Sequence, residues 1–254
     1  MQKFLTTIGL FIIRFLSYLP TSITMMLGGI LGTIGYYVAK KRRNVGIKNL
    51  TLCFPNMSEQ EKHKIIKEHF KHLMTSSLEY GLVFHASREQ IKEMVKIKNF
   101  DYVLEHYEKR PIILLLPHFV GLDLGAMRIN LEVVGYSIYT QQKNKIIAEK
   151  LKEARLRFTA DKGGEIFTRH EGLRPIIRLL RQTKRVFGYL PDQDFGEKDS
   201  IYVPFFAHPA CATVTILPKL VSMTNAVVVP IAIHRVGKNY EMEFFKAWDN
   251  YPSS

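Results

Sequence analysis

At 254 residues, with 46% hydrophobic and 23% charged residues, the chain can build one large packed core, which excludes wholesale disorder. Two cysteines, Cys53 and Cys211, exclude a disulfide scaffold and a cysteine-based zinc site, and point to a reducing compartment. With 36 basic against 23 acidic residues, the net charge of +13 asks for acidic company: nucleic acid, anionic lipid or an acidic protein.

The charge is unevenly placed. The first acidic residue is Glu59, and before it lie Lys3, Arg14, Lys40, Lys41, Arg42, Arg43 and Lys48. Two apolar stretches, residues 4–19 and 23–39, occupy this acid-free region, and the second ends on Lys40-Lys41-Arg42-Arg43. Each is slightly shorter than the roughly 20 apolar residues a bilayer core needs. A pair of buried helices and a membrane anchor both fit. A cleaved leader fits less well, because the basic cluster follows the apolar run and no A-x-A-like site is evident. The anchor is the favoured reading: one span within residues 1–22, then a helix packed in or on the interface. The basic cluster would hold the rest of the chain on the cytoplasmic side, against anionic headgroups. Gly28, Gly29, Gly32 and Gly35 suit close helix packing.

Ser58 and Glu61 form a capping-box pattern opening a helix with Ile66, Phe70, Leu73 and Ser77 on one face. His63, His69 and His72 fall on this helix without making one compact ligand face, so solvated surface is preferred to a metal site. Residues 111–117, apolar between two prolines, read as a fully buried parallel strand. Helical patterns follow over 122–133, 145–158, 173–182 and 213–224. Strand patterns cover 135–140, 186–190, 226–233 and 240–248. The alternation predicts an α/β fold: a mixed, mostly parallel sheet flanked by helices, with an N-terminal membrane-anchoring helix. The domain expectation is an anchor over 1–22 and one catalytic domain over 23–254.

His118 directly follows the buried strand, and Asp123 comes five residues later. Five residues of continuous helix turn about 500°, so the two side chains meet only across a strand-to-helix turn. That turn lies at the carboxyl end of a strand, where α/β proteins build sites. A carboxylate on one imidazole nitrogen would leave the other free to take a hydroxyl proton. The H-x4-D spacing alone is unspecific, and a loop histidine capping a helix satisfies it too.

Five blocks in order make the match specific: Arg42-Arg43-Asn44-Val45-Gly46-Ile47-Lys48-Asn49-Leu50 with Leu52-Cys53-Phe54-Pro55; His118-Phe119-Val120-Gly121-Leu122-Asp123; Arg155-Leu156-Arg157; Tyr189-Leu190-Pro191-Asp192-Gln193-Asp194-Phe195-Gly196; and Val203-Pro204-Phe205-Phe206. With these the chain resembles, over nearly its whole length, the late acyltransferases of lipid A biosynthesis, the lauroyl and myristoyl transferases of the lysophospholipid acyltransferase-like superfamily. The resemblance implies acyl transfer from an acyl carrier protein thioester to a hydroxyl of a phosphorylated glycolipid at the cytoplasmic face of a bacterial inner membrane. His118 would be the general base, Asp123 its orienting carboxylate, Arg155 a substrate-binding or ordering arginine, and Asp192 a further essential acid. No cofactor or metal is implied. A basic protein suits both the acidic carrier and the phosphorylated acceptor.

Two departures stand out. Asp123 occupies a position that is often Glu in the lipid A enzymes, although the E-G-T-R-S-like block of the glycerolipid enzymes is absent. The chain also ends at Tyr251-Pro252-Ser253-Ser254, where family members usually continue into a basic segment with Trp-His-Arg-Arg, so that segment is expected to be missing. Other readings stay open: an acyltransferase for another glycolipid or a lysophospholipid, or an inactive membrane-anchored homologue that binds lipid or carrier protein. A D-x-D metal site at Asp192 and Asp194 is disfavoured by the flanking Pro191 and Gly196. Nucleic acid is not expected, since no stacking platform accompanies the bases. Arg155 and Arg157, two apart, point to different helix faces, so at least one could be an ordinary solvated charge.

Overall fold

A computed structural model describes residues 2–139, 144–193, 196 and 200–252, with side chains described from residue 6 onward. Asp194, the second acid of the D-x-D pattern, and Thr140, the last residue of one predicted strand, lie outside the described residues.

The chain opens with α1 (Gln2–Leu16), α2 (Thr21–Val38), α3 (Lys40–Cys53) and α4 (Glu59–Leu78). The predicted capping box at α4 is present: Ser58 Oγ accepts from the Glu61 N–H, and the Glu61 carboxylate accepts from the Ser58 N–H. Among the described residues α2 is the helix long and apolar enough to cross a membrane, and α1 holds a shorter apolar stretch, Thr6–Leu16. The length thus sits on the second apolar stretch, not on the first.

α2 lies against α4 through glycine. A Cβ on Gly28 would stand 2.2 Å from Thr75 Oγ1, and one on Gly32 would stand 2.4 Å from Lys71 Cα. Gly35 faces Phe70, whereas Gly29 faces open space, so three of the four predicted glycines serve the contact. Tyr36, Ile66 and Phe70 form a small core beside it. Gly32→Ala is therefore expected to lower the melting temperature. Helix propensity alone would favour alanine by about 1 kcal/mol, but overpacking against backbone costs about 1–3 kcal/mol. A variant more stable than the native chain in thermal unfolding would mean that the two helices are not this close.

After α5 (Tyr80–His85) and α6 (Arg88–Met94) the chain enters the sheet domain. In order come β1 (Val95–Lys98), α7 (Asp101–Leu104), β2 (Ile112–Leu115), α8 (Leu122–Ile129), β3 (Gly135–Tyr139), α9 (Lys145–Leu156) and β4 (Glu165–Thr168). Then follow α10 (Arg174–Thr183), β5 (Val186–Tyr189), a hairpin of β6 (Ser200–Phe205) and β7 (His208–Val214), α11 (Ile216–Thr224), β8 (Val227–Val236) and β9 (Asn239–Phe244). Seven strands form one sheet in the order β1-β9-β8-β2-β5-β3-β4. Every neighbouring pair is parallel except β8 with β9. The mixed, mostly parallel sheet flanked by helices is the predicted fold class.

The central strands are apolar throughout because both faces are covered. Ile112, Leu114, Val186, Val227 and Val229 join a core with residues of α5, α6, α8 and α9. Their alternates Ile113, Phe187 and Val228 join a second core with α10 and α11. Two boundaries differ from expectation. Thr213 and Val214, predicted to open a helix, end β7, and α11 begins at Ile216. Residues 245–248, predicted to lie in the last strand, lie beyond β9, where the Trp248 N–H donates to the Val228 carbonyl.

Candidate functional site

β2 lies in mid-sheet between β8 and β5, and its parallel partner β5 runs in register, Leu115 opposite Tyr189. The Leu116 N–H still donates to the Tyr189 carbonyl at 2.9 Å. Each strand then leaves through proline, Leu116-Pro117-His118 on one and Leu190-Pro191-Asp192 on the other. Residues three beyond a registered pair meet, so His118 and Asp192 face each other at the carboxyl edge of the sheet.

Asp192 holds the histidine at two points. One carboxylate oxygen accepts from the His118 backbone N–H at 2.7 Å, and the other lies 2.7 Å from Nδ1. An ionised carboxylate can only accept, so Nδ1 carries the hydrogen and Nε2 keeps its lone pair. The Gln193 side-chain amide lies 3.2 Å from that lone pair, where it donates. Both side chains stay open to solvent, 40% exposed for His118 and 36% for Asp192.

Asp123 takes a different partner. It sits in the first turn of α8, as the H-x4-D argument requires, but pairs with the Arg155 guanidinium on α9 at 2.8 Å. The predicted His118–Asp123 contact is therefore replaced by two pairs, His118 with Asp192 and Asp123 with Arg155. Burial alone would lower the Arg155 pKa, but Asp123 and Tyr80 together hold it above its ordinary value. Burial first, and then the Asp123 charge, push the Tyr80 phenol up. Arg157 is not a solvated charge either: it donates to the Leu82 carbonyl at 3.3 Å and stacks over Phe158.

The loop between His118 and Asp123 turns at Gly121, whose φ of +94° is left-handed. A Cβ there would lie 2.4 Å from the Tyr240 ring, so glycine is required on two counts. Tyr240 is itself fixed beneath the loop by a buried network: its hydroxyl donates to Glu79 at 2.7 Å, and Arg235 bonds both. Burial, then the Glu79 carboxylate, raise the Tyr240 pKa and keep its hydroxyl protonated. Sequence reasoning did not find this network, because its members come from α4's end and two late strands.

Two clefts meet at His118. One, of about 510 Å³, has apolar walls from Leu122, Ile138, Leu173, Leu190 and Ile216, with Arg155 beside them. Tyr189 also lines it, with its phenol pushed up to about 12 by burial and by Tyr251. A smaller cavity of about 150 Å³ shares Asp123, Arg155 and Leu190 with this cleft and reaches to Met127 under the sheet. The other cleft, of about 710 Å³, also reaches His118 and runs against α4 and β8, with Met57, Ile65, Val120 and Ile233 in its walls. The segment 203–206 is not at the site: it lies on the β6–β7 hairpin, where Phe206 stacks on Phe54.

A histidine and a carboxylate thus stand together at the carboxyl edge of a parallel sheet, where two clefts meet. The sequence profile described as bacterial lipid A biosynthesis acyltransferase matches residues 1–253, and the chain belongs to that family. It is 29% identical over 244 residues to the lipid A biosynthesis lauroyltransferase of Escherichia coli K12, covering 95% of this chain and 78% of that one. It is 32% identical over 228 residues to a lipid A biosynthesis acyltransferase of Haemophilus influenzae, covering 89% and 71%. The myristoyltransferase of E. coli K12 is 29% identical over 214 residues, covering 84% and 64%.

Proposed function

We propose that this protein transfers a fatty acyl chain from an acyl carrier protein thioester to a hydroxyl of a lipid A precursor, with His118 as general base. The observation that carries this reading is His118 itself. Its Nδ1 is committed to Asp192, and the histidine stands where two clefts meet, with Nε2 facing, among the described residues, only the Gln193 amide. The acyl chain lies along the apolar wall of Leu122, Ile138, Leu190 and Ile216, and the acceptor hydroxyl, entering over the larger cleft, takes the place at Nε2 that the Gln193 amide holds.

The hydroxyl oxygen attacks the thioester carbonyl carbon as Nε2 takes its proton. The oxyanion then collapses, the carbon–sulfur bond breaks, and the carrier thiolate recovers the proton from His118. Asp192 fixes the tautomer and stabilises the imidazolium. A thioester is already activated, so no acyl-enzyme is needed. Asp123 and Arg155 tie α8 to α9 and set the guanidinium N–H groups beside the cleft where the carbonyl lies.

The same reading puts the protein on the cytoplasmic face of a bacterial inner membrane. Phe11, Phe15 and Tyr18 near α1, and Met26, Ile30 and Tyr37 of α2, are exposed apolar side chains. They suit contact with lipid. The anchor begins in residues 1–22 and is continued by α2, and the residue 40–43 cluster lies against anionic headgroups. The test is incubation of the chain with radiolabelled acyl carrier protein thioester, or with acyl-coenzyme A, and a tetra-acylated lipid A precursor. A more heavily acylated lipid formed from the carrier thioester is expected. Product from the coenzyme A ester alone would refute the carrier as donor.

A further inference from the structure

The step above leaves unused the wall that α4 gives to the larger cleft. Lys64, His69 and His72 all line it, at i, i+5 and i+8, spread over about 140° of the helix surface. His63, which a sequence reading groups with these histidines, is on the other side, with Nδ1 2.6 Å from the Tyr36 hydroxyl. Lys64, His69 and His72 make no hydrogen bond or ion pair to another described residue. Two acids line the cleft with them, and both are engaged. Glu61 is held by Ser58 in the capping box, and Glu68 bonds Lys71 at 2.6 Å.

Across the cleft, β8 contributes His234 and Arg235. Arg235 is held by Glu79, and His234 stands 3.9 Å from Glu241, which already binds Lys98 at 2.7 Å. His118 closes the cleft at one end. The cleft thus presents Lys64, His69 and His72 with no hydrogen bond to another described residue, on the same lining as His118, and Glu61, which also feels the Lys64 charge, is bonded to Ser58.

We infer that Lys64, His69 and His72 form an anion subsite that seats a phosphate of the glycolipid acceptor and so presents its hydroxyl to His118. This rests on the reading of the site as an acyltransferase, and adds which chemical group of the acceptor it recognises. A phosphate offers several acceptor oxygens, which suits converging ammonium and imidazole donors. Burial, and then the like charge of His72, lower the His69 pKa, and a nearby phosphate acts in the opposite direction.

The test is binding without any thioester donor, so it does not depend on turnover. Native chain, His69→Gln/His72→Gln and Lys64→Gln are titrated in mixed detergent micelles with three lipids: the tetra-acylated precursor, the same lipid after phosphatase treatment, and phosphatidylglycerol. The native chain should prefer the phosphorylated precursor by about tenfold or more over the dephosphorylated one, as charge-assisted bonds to phosphate imply. Both variants should bind the two forms nearly alike. Should the double variant misfold, Lys64→Gln at its exposed position reads the same ratio.

A native preference that survives in a folded variant would overturn the subsite, as would no preference in the native chain. Equal preference for phosphatidylglycerol would overturn it too, by assigning the bases to bulk headgroups. Failure of acyl transfer with the phosphate preference intact would refute the enzymatic reading and leave the binding site standing.

Discussion

Asp192→Asn is expected to lower acyl transfer by about 10²–10⁴-fold with the fold retained, because the histidine would lose the charge that fixes its tautomer and stabilises its protonated form. The substitution keeps the shape but replaces one accepting oxygen by a donating amide. The native carboxylate accepts from both the His118 N–H and Nδ1, so one of those two donors must lose its partner. The imidazole can then turn, or present Nε2–H to the hydroxyl it should deprotonate. Asp123→Asn is a different perturbation, since it loosens the tie to Arg155 across 2.8 Å and leaves the contacts of the imidazole in place. The Nδ1 proton resonance separates the two: it should shift or vanish in Asp192→Asn and persist in Asp123→Asn. The reverse pattern would return the orienting role to Asp123.

The largest effect on stability is expected from Arg235→Met. The side chains of Arg235 and Glu79 are 5% and 2% exposed, and they bond directly beneath the loop between His118 and Asp123. Removing the arginine strands a buried carboxylate with the Tyr240 hydroxyl as its partner. Breaking such a pair costs about 3–5 kcal/mol, equivalent to a fall of roughly 6–20 °C in melting temperature for a chain of this size. The double variant Glu79→Leu/Arg235→Met should recover much of this, because an apolar pair leaves no uncompensated charge. Activity should not return in parallel, since Tyr240 would still lack the bonds that fix its ring against Gly121. A single variant within 1 kcal/mol of the native chain in thermal unfolding would show that the network is not closed to water.

The elements that were legible are those whose burial is two-sided. β2 and β8 read directly as apolar runs, because Ile113 and Val228 face one core while Ile112 and Val229 face the other. The β6–β7 hairpin was not legible, because Ile201, Tyr202 and Phe205 are exposed along β6 and no inward face sets an alternation. β4 is four residues at the sheet edge, too short for a period to show.

The site shows the same division. His118 and Asp123 stand out because local spacing connects them, whereas the partner of His118 is 74 residues away. A signal for it was nevertheless present. Leu-Pro-His after one buried strand and Leu-Pro-Asp after another place the two polar residues at equal distances beyond their strand ends, and parallel pairing in register brings them together. Recognising it required knowing that residues 112–115 and 186–189 are neighbours, which only the sheet order supplies. The set of Lys64, His69 and His72 was hidden for a simpler reason. Grouping all three histidines of α4 masked the fact that two of them share a face and the third does not.

Removal of a proton from an acceptor hydroxyl by His118 during acyl transfer is the step on which the proposed function stands. It is tested most directly by single-turnover transfer from radiolabelled acyl carrier protein thioester to the tetra-acylated lipid A precursor, comparing native chain with His118→Ala of equal circular dichroism and melting temperature. O-acylated lipid is expected from the native chain, with a loss of at least about 10²-fold in the variant. Near-native product from a folded His118→Ala chain would contradict it.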